Sequence, residues 1–229
     1  MPTPVTYDLS GSVATITMDD GKANALSLAM LSEINAALDE ASAANAAVVI
    51  VGREGRFSGG FDLAVFRSGN ASDGIRMLRE GFTLAERLLS FPTPVVIGCT
   101  GHAIAMGAFL LLSADYRIGA AGPFKIQANE TAIGMTLPLA AYEICRQRLT
   151  PAHLHRALAL AEIYTPDKSA IDAGWLDHIV PADDVVAVAR AKAAELGGLN
   201  MPAHAANKLK GREPALKALR AAINAEFPK

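Results

Sequence analysis

The strongest constraint on the fold lies between Pro94 and Leu112, where a long apolar stretch is interrupted once by small residues. Residues 94–99, Pro-Val-Val-Ile-Gly-Cys, are rich in β-branched side chains and are typical of a buried strand. Residues 108–112, Ala-Phe-Leu-Leu-Leu, are too uniformly apolar for an amphipathic helix. The pattern predicts a strand, a turn of small residues and a wholly buried helix. Unpaired N–H groups at the N-terminus of such a helix stabilise negative charge.

Composition limits the classes of protein that the chain can form. Of its 229 residues, 51% are hydrophobic and 19% are charged, which suits one large domain with a substantial core. The formal net charge of −2 argues against a nucleic-acid partner or an anionic membrane surface. No apolar run approaches the ~20 residues of a membrane span, and no signal peptide is recognisable. Cys99 and Cys145 make no disulfide framework, so we expect a cytoplasmic protein.

Strand and helix patterns alternate in the first half of the chain, and helical patterns dominate the second half. Residues 13–18 alternate well enough for a strand, and residues 5–9 are positioned to pair with it across a Ser-Gly-Ser turn. These patterns predict an α/β core with a helical C-terminal region. A boundary near Gly197 divides the chain into a predicted core of residues 1–197 and a helical segment of residues 198–229.

Hydroxyl side chains mark several predicted helix starts. Ser27 precedes a helical pattern over residues 28–43, and Ser72 precedes a longer one. Thr165, followed by Pro166, has the residue preferences of an N-cap and the first helical position.

Two loops and one carboxylate are the candidates for chemistry. Residues 57–63, Phe-Ser-Gly-Gly-Phe-Asp-Leu, follow a predicted buried strand, and the second loop lies near Met106. Ligands bind where such strands end in open α/β sheets, and one N–H from each loop would hold one oxyanion. Glu130 has few charged neighbours in the sequence, so we expect a raised pKa and general-base activity near neutral pH.

The histidines offer little chemistry. His102 has no evident serine or cysteine partner, and His153 and His155 are two residues apart on a predicted helix, which makes a poor metal pair. The sequence contains no convincing metal spacing, P-loop, nucleophile elbow or dinucleotide fingerprint.

In combination, the motifs resemble the crotonase superfamily, also called the enoyl-CoA hydratase/isomerase superfamily. The matching segments, in chain order, are residues 24–26, 57–63, 101–107, 115–117 and 129–134, so the resemblance spans nearly the whole chain. It implies a crotonase-like ββα spiral core with a helical C-terminal region used in assembly. It also implies an acyl-CoA thioester as substrate, and a homotrimer or dimer of trimers.

The resemblance further implies roles for individual residues. The backbone N–H groups of Phe61 and Met106 would form an oxyanion hole for the thioester carbonyl, and Glu130 would be the catalytic carboxylate. No metal and no cofactor is implied, since coenzyme A is part of the substrate. The coenzyme A moiety would be bound by Lys22, Ala23, Gly59, Gly60, Asp62 and Leu63.

Two departures from the family pattern bear on activity. The second loop is Ala105-Met106-Gly107 where a triple glycine is usual, so we expect Met106 to narrow the pocket. Phe109 occupies the position of the first of two catalytic glutamates in hydratases, which leaves Glu130 alone in a drier site. Moving a double bond from C3 to C2 needs one carboxylate and no water, so isomerisation is expected ahead of hydration.

Two alternatives stay open from the sequence. A hydratase would recruit another acid, for which Asp62 and Glu143 are candidates, and a non-catalytic module would bind acyl-CoA without turnover. In each case residues 66–82 are expected to contribute to the pocket floor, which would limit the length of the acyl chain.

Overall fold

The structure, a computed structural model, describes residues 3–67 and 69–228. The strands in this part of the chain are β1 (Val5–Ser10), β2 (Val13–Met18), β3 (Ala47–Val51), β4 (Gly55–Ser58), β5 (Val95–Cys99), β6 (Gly101–Ile104), β7 (Tyr116–Ala120), β8 (Ile126–Gln127) and β9 (His178–Val180). The α-helices are α1 (Leu28–Ala43), α2 (Leu63–Arg67), α3 (Ala71–Ser90), α4 (Met106–Leu112), α5 (Leu139–Arg146), α6 (Pro151–Ala159), α7 (Lys168–Ala173), α8 (Val185–Gly197) and α9 (Met201–Glu226).

The strands form two sheets that the chain visits alternately. The larger sheet has the order β1-β2-β3-β5-β7-β9, in which β1 and β2 are antiparallel and all other neighbours are parallel. The smaller sheet, β4-β6-β8, is parallel. The pair β3 and β4 leads to α3, and the pair β5 and β6 leads to α4. The predicted α/β class, with a ββα spiral and a helical C-terminal region, is confirmed.

The central strands β3 and β5 of the larger sheet are buried on both faces, which explains their continuously apolar sequences. In β3, Val48 and Ile50 belong to the main core, whereas Val49 and Val51 belong to a second cluster under α8. Helix α8 therefore completes the core instead of standing apart from it.

The first predicted hairpin and helix are confirmed. Strands β1 and β2 pair in register from Val5 with Met18 to Ser10 with Val13. The Ser27 side chain accepts a hydrogen bond from the N–H of a first-turn residue of α1, and the helix covers the predicted residues.

Two predicted N-caps are wrong. Asn70, not Ser72, caps α3, because its side chain accepts from the first N–H groups and the helix already includes Ser72. Asp167, not Thr165, caps α7, and its side chain accepts from a first-turn N–H. Asn and Asp are at least as good as hydroxyl residues in this position, so the nearest Asx side chain takes the cap.

Sequence patterns missed β4, β6 and α2, each of which has only four or five residues. Strand β6 lies where a turn of small residues was expected. A Cβ at Gly101 would lie 1.9 Å from the carbonyl carbon of Gly55, so the close pairing of β6 with β4 requires glycine there. Strand β8, with two residues, is shorter still.

Helix α9 packs along α3 and α5. Its predicted role in assembly, and the division of the chain at residue 197, stay predictions. Within the two described ranges, no helix has both the length and the apolar character that crossing a membrane requires.

Two glycine substitutions should have opposite effects on stability. Gly101→Ala drives a Cβ into the backbone of β4 and should lower the free energy of unfolding by about 3 kcal/mol. Gly211→Ala, inside α9 with no neighbouring atom within 4 Å of the new Cβ, should raise it by about 0.5–1 kcal/mol. Urea denaturation of both variants measures the difference, and a loss of equal size in the two would contradict this packing.

Candidate active site

A cavity of about 130 Å³ opens between the loop after β4, the start of α4, and α3. Glu130 is the sole ionisable side chain among the described residues that line it. Larger clefts of about 570 and 640 Å³ lie along α9, but neither contains Glu130. The lining residues of the cavity are Gly59, Phe61, Leu63, Phe66, Leu78, Phe82, Ala105, Phe109, Asn129, Glu130, Ile133, Met135 and Pro138.

Glycines bring the two predicted loops into contact at this cavity. Gly60 has φ +89°, and a Cβ on it would lie 3.0 Å from the Ile104 carbonyl oxygen and 3.4 Å from the Met106 nitrogen. A Cβ on Gly107 would lie 2.5 Å from the Ser58 carbonyl oxygen. The loop after β4 and the first turn of α4 therefore touch through their backbones.

The backbone N–H groups of Phe61 and Met106 are both free of acceptors in the described part of the chain. The residues on either side of Phe61 bond to Leu26, through Leu26 N–H to the Gly60 oxygen and Asp62 N–H to the Leu26 oxygen. The Phe61 N–H therefore points away from that partner. Met106 is the first residue of α4, so its N–H has no acceptor in a preceding turn. Two unused donors thus lie on neighbouring loops.

Ala105 turns the chain into α4 in a conformation that favours glycine, with φ 51° and ψ −123°. Such strain costs on the order of 1–3 kcal/mol and persists only where other contacts enforce it. Here the Ala105 N–H donates to the Gln127 oxygen at 2.9 Å, and its carbonyl accepts from Phe109 N–H at 3.1 Å. The turn places the Met106 nitrogen beside Gly60.

The expectation that Met106 narrows the pocket is wrong. Its side chain is fully buried in the main core, and Ala105 lines the cavity instead. The first turn of α4 directs Met106 into the interior while its backbone N–H stays at the loop.

Phe109 lies on α4 and forms an aromatic wall with two other rings. It stacks on Phe82 with ring centroids 6.5 Å apart, and Phe82 meets Phe61 edge to face at 5.9 Å. This wall offers a water molecule no hydrogen-bond partner. Residues 66–82 contribute to the pocket as predicted, since Phe66, Leu78 and Phe82 line the cavity.

Glu130 enters the cavity from the segment that follows β8. It is 8% exposed, and its Oε2 has no hydrogen-bond partner among the described residues. Its carbonyl oxygen accepts from the N–H groups of Ile133 and Met135, which fixes the backbone beside the carboxylate. Burial raises the pKa of Glu130, and a hydrogen bond from its own backbone amide offsets part of that rise. The predicted direction of the pKa shift is confirmed.

Neither candidate for a second acid lines the cavity. Asp62 Oδ1 accepts from Ala64 N–H at 2.9 Å, at the start of α2. Glu143 is 8% exposed on α5, where its Oε1 pairs with Arg146 at 2.7 Å. Both carboxylates are therefore engaged elsewhere.

The segment containing Lys22 and Ala23 lies against the loop after β4. Gly59 N–H donates to the Ala23 oxygen at 2.8 Å, and Lys22 and Ala23 are exposed along this edge. Of the residues predicted to bind coenzyme A, Gly59 and Leu63 line the cavity, while the other four do not. Arg53, which sequence reasoning missed, donates from Nη1 to the Lys22 oxygen at 3.0 Å and adds a cation here.

Asn129 and Ala105 also line the cavity, and the sequence named them only as members of motifs, without a role at the site. The one signal in the sequence for a place of Asn129 at the site was its adjacency to Glu130. In the described ranges, no group of three or more His, Cys, Asp or Glu side chains is placed to hold a metal ion.

Comparison with known proteins identifies the family. The family model described as enoyl-CoA hydratase/isomerase matches residues 8–226. The chain belongs to the enoyl-CoA hydratase/isomerase family. A probable enoyl-CoA hydratase from Bacillus subtilis is 34% identical over 188 residues, which cover 79% of this chain and 70% of the relative.

Two crystal structures of similar proteins carry different activity names. Enoyl-CoA hydratase EchA3 from Mycobacterium ulcerans matches with a TM-score of 0.94 and 50% identity, covering 98% of this chain and 99% of the relative. A Mycobacterium tuberculosis protein is named an enoyl-CoA isomerase in one structure and a probable enoyl-CoA hydratase in another. The structure named as the isomerase matches with a TM-score of 0.93 and 50% identity, covering 98% of each chain. The chain is thus an enzyme of this family, and similar proteins carry both activity names.

The buried carboxyl of Glu130 should make stability depend on pH. Since folding raises its pKa, the folded state holds the proton more tightly. This stabilisation is fully present below the unfolded pKa and is lost as pH rises through the folded pKa. Glu130→Gln stays neutral, so its thermal midpoint should exceed that of the natural protein at about pH 7 and converge with it near pH 4. Thermal denaturation at a series of pH values checks this, and a pH-independent difference would contradict it.

Proposed function

We propose that the enzyme moves the double bond of an enoyl-CoA thioester from C3 to C2, with Glu130 as the proton carrier. The observation that supports this most directly is the single carboxylate on the cavity wall of the described chain, beside the apolar ring of Phe109. Double-bond migration needs one group that removes a proton and returns it, whereas hydration also needs a positioned water molecule.

The first step removes a proton from C2. The thioester oxygen accepts hydrogen bonds from the N–H groups of Phe61 and Met106, which makes the C2 proton more acidic. The Glu130 carboxylate takes that proton, and the bonding electrons delocalise onto the carbonyl oxygen as a dienolate. Each oxyanion donor of this kind is worth on the order of 10²–10³ in rate where measured.

The second step returns the same proton to C4. The electrons of the dienolate form the C4–H bond, the double bond settles between C2 and C3, and the carbonyl is restored. Glu130 regains its charge, so no atom is gained or lost overall. A raised pKa suits both halves of this transfer, because a base with a pKa nearer the working pH both accepts and releases the proton readily.

Water addition to a 2-enoyl thioester is the second candidate, favoured by relatives named as hydratases. It would require a second acid to position water, and the carboxylates of Asp62 and Glu143 are engaged outside the cavity. The described lining of the site therefore favours isomerisation.

The coenzyme A moiety is proposed to lie along the exposed edge formed by Lys22, Ala23 and the loop of residues 59–63. Lys22 supplies positive charge for its phosphates, together with the neighbouring Arg53, whose Nε also pairs with Asp19 Oδ1 at 3.3 Å. A homotrimer or dimer of trimers, and a cytoplasmic location, belong to the proposal on the basis of the sequence and the family resemblance.

Glu130→Gln should lower the rate of isomerisation of a 3-enoyl-CoA by about 10²–10⁴-fold, since it removes the proton carrier and keeps the shape. Glu143→Gln is the matched control, because it neutralises another buried carboxylate outside the cavity and should keep most of the activity. Steady-state kinetics on both variants provide the measurement. Full activity in Glu130→Gln would contradict the proposal, and binding without turnover in the natural protein would favour the acyl-CoA-binding module.

A further inference from the structure

We propose that residues 224–227, at the end of α9, determine the length of acyl chain that the cavity accepts. This 224–227 segment lies outside the cavity, yet it contacts the two helices that flank it. The inference rests on the proposed function and adds a specificity determinant to the same site.

Phe227 supports the cavity wall from behind. Its ring is parallel to that of Phe82, with centroids 5.5 Å apart and an interplanar angle of 6°. Phe82 lines the cavity and Phe227 does not. Both are buried, at 1% and 6% exposure, so solvent does not separate the stack from the core. Phe227 therefore occupies the space into which the Phe82 ring would otherwise move.

Arg79 fixes the 224–227 segment to α3. It lies one turn before Phe82 on that helix, and its Nη1 donates to the carbonyl oxygen of Phe227. Its Nη2 donates to Oδ1 of Asn224 at 2.9 Å. The positive charge of the guanidinium suits the negative end of the α9 dipole. Its two N–H donors, each bound to a different acceptor, also restrict the orientation of the segment. The position of Phe227 relative to Phe82 is thereby fixed.

Glu226 fixes the same segment to α5. Its Oε1 accepts from Leu139 N–H at 2.7 Å and its Oε2 from Ala140 N–H at 3.1 Å. The N-cap position of α5 is occupied by Pro138, whose side chain makes no capping bond, so Glu226 supplies the cap from another helix. Pro138 itself lines the cavity. One short segment therefore holds both flanking helices in place.

This support makes the small cavity hard to enlarge. Protein interiors are packed as densely as organic crystals, so Phe82 can yield to a longer acyl chain only where space exists behind it. With Phe227 in place that space is filled, and the cavity of about 130 Å³ suits short acyl chains. Without the ring, Phe82 gains room to rotate, and each further methylene buried raises affinity on the order of fourfold.

The test measures binding of saturated acyl-CoA thioesters of increasing chain length by titration calorimetry. Saturated chains have no double bond to move, so binding is read without turnover. Phe227→Ala should shift the preferred length by about two methylenes, raising the ratio of long-chain to short-chain affinity on the order of tenfold. Phe227→Leu keeps an apolar group at the position and should shift the preference toward longer chains by a smaller amount. This variant provides the test if Phe227→Ala folds poorly.

Leu216→Ala is the matched control, because Leu216 is buried on the same helix about three turns earlier. It should lower stability and leave the chain-length preference unchanged. A preference that is unchanged in both Phe227 variants, or shifted equally in Leu216→Ala, would overturn the inference while leaving the proposed function intact. If the natural protein bound no acyl-CoA of any length, the proposed function itself would be contradicted.

Discussion

The site depends on the close approach of two backbone segments, the loop after β4 and the first turn of α4. Gly60 and Gly107 permit it, since a Cβ at either would press against the backbone of the facing segment. The alternation of strands between two sheets brings these segments to one place, and the strained turn at Ala105 orients the second. Two unpaired N–H donors result, and they cost little to reorganise because the fold has already fixed them.

The site also requires a carboxylate that is buried and unpaired. Glu130 has an Oε2 without a partner in the described chain, and the apolar rings of Phe109 and Phe82 line the same cavity. Desolvation is normally a cost to the fold, and here it raises the pKa toward the range useful for proton transfer. The same aromatic wall offers no hydrogen bond that would position the water molecule of the alternative reaction. The apolar packing around Glu130 therefore accounts both for its raised pKa and for the preference between the two reactions.

Sequence patterns predicted the long elements and the chemistry-bearing segments, but not the short connections. Helix α1 was predicted to the residue, because its apolar face and its Ser27 cap agree. Strands β4 and β6 were missed, because short strands stabilised by contacts across the fold leave no periodic signal. Met106 shows the same limit of sequence patterns. Its position in a motif was evident, but the burial of its side chain in the core depends on the turn at Ala105, which no local pattern predicts. The contact of Phe227 with Phe82 joins distant parts of the chain and was equally inaccessible from local pattern.

The most direct test of the central claim is product analysis after incubating the purified enzyme with a 3-enoyl-CoA in deuterium oxide. Mass and deuterium position are read by mass spectrometry and NMR. The account predicts a 2-enoyl thioester without a hydroxyl group, with any deuterium incorporated during the transfer at C4. Accumulation of a 3-hydroxyacyl thioester would contradict it, because the described site would then have supplied both a water molecule and a second acid.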